Sequence, residues 1–373
     1  MPSTLHPFRP VKPGEILQDE LEARGWTQAD LAQILGRPLQ VVNEIIAGKK
    51  AITAETAIAL SRALDTSAEY WLKLDALFRL DLVRQRQPCP EQDIARRARL
   101  FSVVPVKELL KRRWLQVTDP QDPDQLEPAI CRFLGVGSLE VEPDLAFAAR
   151  RSHRGDASSS ALRAWICHVR TLATSVQTAP FNPVGLKEHI ASLTKLSAQE
   201  GGVSLVPARL AELGIRFVTA DHLPNTCVDG ATFWLDKTSP VVALSLRYDR
   251  VDWFWFTLMH ELAHVALRHA MGKTWIDDAL VGRDAEPSDA ANEPESAADA
   301  LASEWLIPPA SFAAFVSSTK PFFYRQRVLA FAQAVGVHPG IVVGRLQHDG
   351  FVPWTHFRNL LERVRPQLEG VAA

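Results

Sequence analysis

The stretch Phe254–Arg268, FWFTLMHELAHVALR, sets His260, Glu261 and His264 on one turn of an expected helix. Histidines at i and i+4 leave the same helix face, so both imidazoles can reach one metal ion. Zinc held by two histidines and a carboxylate keeps one position open for water and lowers that water's pKa towards ~7. Glu261 is then the general base that takes the water's proton and passes it to a departing amine. The third ligand is Glu295, in the run EPESAADALASEWLIP on a second expected helix. Asp299, four residues on, is placed to accept the second N–H of a ligating histidine. Glu293 competes with Glu295, but Pro294 puts it ahead of the first helical turn. His269, five residues past His264, matches the ligand face poorly and reads as a surface histidine.

The elements around this centre follow from local patterning. VPARLAELG reads as a short helix, and IRFVTA, GATFWLD and PVVALSLRY read as strands leading into the HELAH helix. The acidic stretch from Trp275 to Asn292 reads as a surface loop between the two site helices. Beyond Pro308, FYRQRVLAFAQAVGVHPGIVVGRLQ has helical spacing suited to closing this domain.

HELAH at 260 to 264 and ADALASEWLIP at 298 to 308 resemble the ImmA/IrrE family of metallopeptidases. The resemblance implies one zinc per chain on His260, His264 and Glu295, with Glu261 as base. Many members carry a second glutamate where this chain has Ala297; Glu295 keeps the position four before Asp299. The element order resembles a minimal zincin fold, in which an edge strand pairs with an extended peptide substrate. Val241 to Leu246 or Ala231 to Leu235 are the candidates for that edge.

Residues 14 to 75 read as a helical module punctuated by Gly25, Gly36 and Gly48. The expected helices are GEILQDELEARG, then TQADLAQILG with Thr27 as N-cap, then Arg37 to Ala47, Thr53 to Leu64, and Ser67 to about Arg79. In a helix-turn-helix the start of the third helix enters the major groove, where Gln40, Asn43 and Glu44 would meet base edges. Lys49, Lys50 and Gln28 would contact phosphates. TQADLAQILGRPLQVVNEIIAGKKAIT resembles Xre/HigA-type antitoxin repressors, which implies operator DNA, a homodimer and a possible cognate toxin as partners.

From 80 to 202 the sequence reads as helices and says less. Asp119 to Asp124 and Ser152 to Ser160 read as loops. The basic run from Arg96 to Arg113 reads as solvated helix faces rather than an extension of a DNA surface.

The 373 residues are 47% hydrophobic, enough for two or three domains with cores. No run approaches the ~20 apolar residues of a membrane span, and the N-terminus lacks an apolar signal core, so a cytoplasmic protein away from membranes is expected. Four cysteines without CxxC pairing argue against disulfides and cysteine-bound zinc. A net charge of -2 leaves any DNA binding to a local surface.

The expected architecture is mainly α with a small β-sheet, an α+β chain. Residues 1–85 form a helix-turn-helix domain, 86–202 a helical connector and 203–373 a minimal zincin-like domain. The two resemblances together imply a DNA-binding regulator with a zinc-dependent endopeptidase domain. Its substrate would be a regulatory protein, a repressor or the chain itself, in toxin-antitoxin, prophage or stress control. The alternative is an antitoxin-type repressor whose zinc domain is a sensor or structural unit without turnover.

Overall fold

A computed structural model describes residues 11–86, 90–141, 147–149, 156–269, 274–278 and 293–368. The chain divides into two compact units, Met1–Ala95 and Arg96–Ala373.

The first unit contains α1 (Pro13–Arg24), α2 (Gln28–Leu35), α3 (Leu39–Ile46), α4 (Ala54–Leu64) and α5 (Ala68–Arg86). Local signals set most of the boundaries. Thr27 and Asp30 form a reciprocal capping box at the start of α2, and Gly25 and Gly36 close α1 and α2 in the left-handed conformation. Helix α3 begins at Leu39 rather than Arg37, because Pro38 is extended and disfavours helical backbone before it. Helix α5 continues past the expected end near Arg79 to Arg86. Leu17, Leu31, Val42, Leu60 and Leu64 converge on Trp71, which is fully buried and donates its indole N–H to Thr66 Oγ1 at 2.8 Å.

The second unit begins within α6 (Pro90–Val103) and continues through α7 (Val106–Lys111), α8 (Pro123–Leu134), β1 (Phe147–Ala149), α9 (Asp156–Ser175), α10 (Pro183–Leu196), α11 (Val206–Glu212) and β2 (Arg216–Thr219). It then runs through β3 (Val228–Trp234), β4 (Pro240–Leu244), α12 (Val251–Leu267), β5 (Thr274–Asp278), α13 (Glu293–Leu306), α14 (Pro309–Thr319), α15 (Arg325–Val335), α16 (Pro339–His348) and α17 (Arg365–Leu368). The sheet order is β1-β5-β3-β4-β2. β3 is antiparallel to both β4 and β5, while β2 runs parallel to β4 and β1 parallel to β5.

Alternate strand residues enter two different cores. Phe217, Val242 and Leu244 join the core that contains α12. Val218, Ala231, Phe233, Val241 and Ala243 join the core built by α6 to α9. Trp165 of α9 lies in that second core and donates its indole N–H to Ala220 O at 2.9 Å.

Several expectations change here. The helices of 96–202 are not a connecting layer: α6 to α9 cover one sheet face, and α10 joins the core on the other. The stretch lacks a strong sequence signature because its apolar stripes answer strands far along the chain, between Val218 and Ala243. Both candidate edge strands are interior, since β3 lies between β5 and β4, and β4 between β3 and β2. The full burial of Pro240–Leu244 on both sides is the mark of an inner strand. Trp275 to Asp278 belong to β5 rather than to a loop, and 279–292 lie outside the described residues. Asp156 to Ser160 open α9, and Asp119 to Asp122 remain a turn before α8. The basic run agrees with solvated helix faces at Arg99, Lys107, Lys111 and Arg113, which are exposed, while Arg96 meets Asp124 and Glu127 at the surface and Arg112 meets Glu108 and the carbonyls of Asp221 and His222. Among the described residues no single helix is long and apolar enough to cross a membrane.

Candidate metal centre

Helix α12 is buried along most of its length, which lets it carry polar groups into a dry site. His260, Glu261 and His264 on α12 and Glu295 on α13 are all 0% exposed. Isolated ionisable groups do not stay buried without compensation, so their convergence needs a chemical reason. One ligand atom from each of His260, His264 and Glu295 lies within 4.8 Å of the others. The two Nε2 atoms are 2.9 Å apart, and Glu295 Oε2 is 3.3 Å from His260 Nε2 and 3.7 Å from His264 Nε2.

These residues fit a metal ion. Two neutral imidazoles cannot both aim Nε2 lone pairs at each other across 2.9 Å without a cation or proton between them. Neither oxygen of the buried Glu295 carboxylate receives a hydrogen bond of good geometry from a described residue. Burial alone would raise that carboxyl; positive charge on the facing His260 and His264 rings, where a bound cation would sit, holds it well below the usual carboxylate range. Glu293, the competitor, is exposed at the first position of α13.

The surroundings orient these groups. Asp299 Oδ1 lies 2.9 Å from His260 Nδ1, on the ring edge away from the other ligands. Glu261 extends towards β3, where the Thr232 hydroxyl donates to its Oε2 at 2.6 Å and to its main-chain oxygen at 3.1 Å. Gly230 makes room for this carboxylate: a Cβ there would come within 2.9 Å of Glu261 Cδ, closer still to Oε1, and within 3.0 Å of Thr257 Cγ2. Sequence reasoning missed both Gly230 and Thr232. The signal available was two small residues at i and i+2 on the strand facing the HELAH helix.

His269 is not a detached surface histidine. It is half-buried, with its Nδ1 3.2 Å from His264 Nδ1. Burial and the neighbouring His264 hold it below the ordinary histidine value.

The six residues expected to meet DNA all lie in the first unit. Gln40, Asn43, Lys49 and Lys50 are exposed, and Gln28 and Glu44 are half-buried. Glu44 is engaged within the unit, accepting from Gln40 Nε2 at 3.0 Å and lying 3.9 Å from Lys50 Nζ.

Comparison with known proteins bears on both units. Residues 17–71 match a helix-turn-helix family model, and 210–347 match the IrrE N-terminal-like domain of peptidase family M78. An uncharacterized HTH-type transcriptional regulator of Haemophilus influenzae is 40% identical over 75 residues, spanning 20% of this chain and 68% of the relative. The chain belongs to the helix-turn-helix transcriptional regulators. This regulator is also 34% identical over 76 residues to virulence-associated protein I of Dichelobacter nodosus, covering 20% of the chain and 70% of that protein. The solved Pseudomonas aeruginosa antitoxin HigA with the higBA promoter is 38% identical, over 21% of the regulator and 86% of that chain, with a TM-score of 0.21. A HigA-family addiction module antidote protein from Coxiella burnetii is 34% identical, over 21% and 87%, also at 0.21. The regulator therefore joins an N-terminal Xre-type helix-turn-helix domain to a C-terminal IrrE-like, metallopeptidase-type domain, and the latter match spans the whole metal centre.

Proposed function

We propose that this regulator is a zinc-dependent endopeptidase as well as a DNA-binding protein. His260, His264 and Glu295 hold one zinc per chain, and Asp299 orients His260. The observation that carries this reading is the burial of three converging ligand atoms beside the Glu261 carboxylate, which Thr232 of β3 holds in place. When bound, zinc supplies a Lewis acid that lowers the pKa of a water and polarises a carbonyl. Glu261 takes the proton from the attacking water and delivers it to the leaving amine. The hydroxyl of Thr232 holds Glu261 Oε2 and so limits the directions in which the carboxylate can swing. The substrate is a peptide bond of a regulatory protein, either a separate repressor or this chain.

In the first unit, Gln40 and Asn43 read base edges, while Lys49, Lys50 and Gln28 contact phosphates. A homodimer on paired half-sites in the cytoplasm is the natural working form. Control of a toxin, a prophage or a stress response is the setting that joins repression to proteolysis.

The test is metal content and cleavage together. Wild-type chain purified without chelators should carry about one zinc, lost in His264→Ala and Glu295→Ala. Glu261→Gln should keep the zinc and abolish cleavage. A wild type that takes up no zinc on reconstitution overturns the metal centre. Cleavage persisting in Glu261→Gln removes Glu261 from the mechanism.

A further inference from the structure

We infer that His269 is the positioning residue for His264, matching on the second histidine what Asp299 does for the first; the inference rests on the metal-centre reading above. Helix α12 ends at Leu267, and Arg268 turns into the left-handed conformation at φ 56°. The Arg268 N–H then bonds Val265 O at 3.2 Å, and the His269 N–H bonds His264 O at 3.1 Å. This reversal folds residue 269 back over the last helical turn, where a continuing helix would have carried it away. The two Nδ1 atoms come to 3.2 Å, with ring centroids 5.3 Å apart and planes inclined at 65°.

The chemistry follows from the tautomer. A neutral imidazole that offers its Nε2 lone pair to a cation carries its proton on Nδ1. In a fully buried site that Nδ1–H must find an acceptor or cost free energy. On His260 the group facing Nδ1 is the Asp299 carboxylate, with Oδ1 at 2.9 Å; for His264 the group at the matching place is His269, whose Nδ1 is within hydrogen-bond distance at 3.2 Å. His269 accepts there and keeps its own proton on Nε2. His269 does not ligate the ion, because it meets the edge of His264 opposite the Nε2 that faces His260 and Glu295. The two outer partners differ in charge: a carboxylate on one histidine and a neutral ring on the other. The centre is thereby held with one fewer negative charge than two carboxylate partners would give.

The experiment titrates zinc into the full chain against a chromophoric chelator, comparing wild type with His269→Asn and His269→Phe. Asparagine puts an amide oxygen near the place of Nδ1, whereas phenylalanine keeps the ring and removes the acceptor. Loss of an outer partner of a metal ligand costs 10- to 100-fold in affinity, so His269→Phe should weaken zinc by that factor while His269→Asn stays within about threefold. Thermal melts of the zinc-free variants establish folding, and His269→Ala replaces His269→Phe if the latter does not fold. An acceptor-less variant that binds zinc within threefold of wild type overturns the inference, as does His269→Asn binding as weakly as His269→Phe. A wild type that binds no zinc overturns the metal-centre reading, and this inference with it.

Discussion

Gly230→Ala separates the placement of Glu261 from the binding of metal. A methyl at 230 would overlap the Glu261 carboxylate and meet Thr257 Cγ2 at 3.0 Å. The backbone there needs no glycine, since its φ is not positive, so the obstacle is space alone. A side-chain terminus yields more readily than a helix, and the Glu261 carboxylate should draw back by about 1 Å. A misplacement of that size in a catalytic constellation costs on the order of 10²-fold in rate, or about 2.7 kcal/mol in the barrier. His260, His264 and Glu295 are not touched by the new methyl, so zinc affinity should stay within about threefold of wild type. The assay digests a peptide library with zinc-loaded chain, identifies products by mass spectrometry, and compares initial rates on the best-cleaved peptide. Cleavage at the wild-type rate, with the variant folded and zinc-loaded, would refute the reasoning, since Glu261 would then work without the room that Gly230 leaves. Zinc lost together with activity would show instead that α12 had moved as a body.

Three more outcomes follow. Thr232→Val leaves Glu261 Oε2 without its 2.6 Å donor in a fully buried site, a loss worth roughly 1.5–3 kcal/mol, and turnover should fall about 10- to 100-fold with zinc retained. The stability of the second unit should fall on acidification from pH 6.5 towards 4. Burial and the charge of Arg112 hold His168, stacked on Trp114, down to about 4, so between these values the unfolded chain takes up a proton that the folded chain refuses. The effect is at most about 3 kcal/mol and smaller after solvent screening; urea midpoints at pH 7 and pH 4.5 should differ less in His168→Gln than in wild type. Replacing Lys49 by Gln should weaken promoter binding evenly across sequences and reduce the salt slope by about 1, read from gel retardation over a range of salt. Weakening confined to one operator sequence would instead place Lys49 at a base edge.

What could be read before folding, and what could not, divides along the range of the interactions. His260, Glu261 and His264 were legible because one helical repeat brings them together, and Glu295 because four residues separate it from Asp299 on a helix of its own. The first unit was legible for the same reason, down to the Thr27 cap and the glycines that end α1 and α2. Gly230 and Thr232 meet Glu261 across about thirty residues, and nothing within the strand states which helix it will face. The inner position of β3 and β4 was hidden similarly, because β1 and β5 reach the sheet from distant segments and are only three and five residues long. His269 failed for a different reason. Counting five residues along an ideal helix directs it away from His264, but the helix stops at Leu267 and a single left-handed residue, Arg268, reverses the chain. Arginine has no special tolerance for that conformation, so no residue-type signal marked the stop. Where a ligand lies within a turn of a helix end, the residues just past that end belong to its surroundings, and a helical wheel drawn through them misplaces every one.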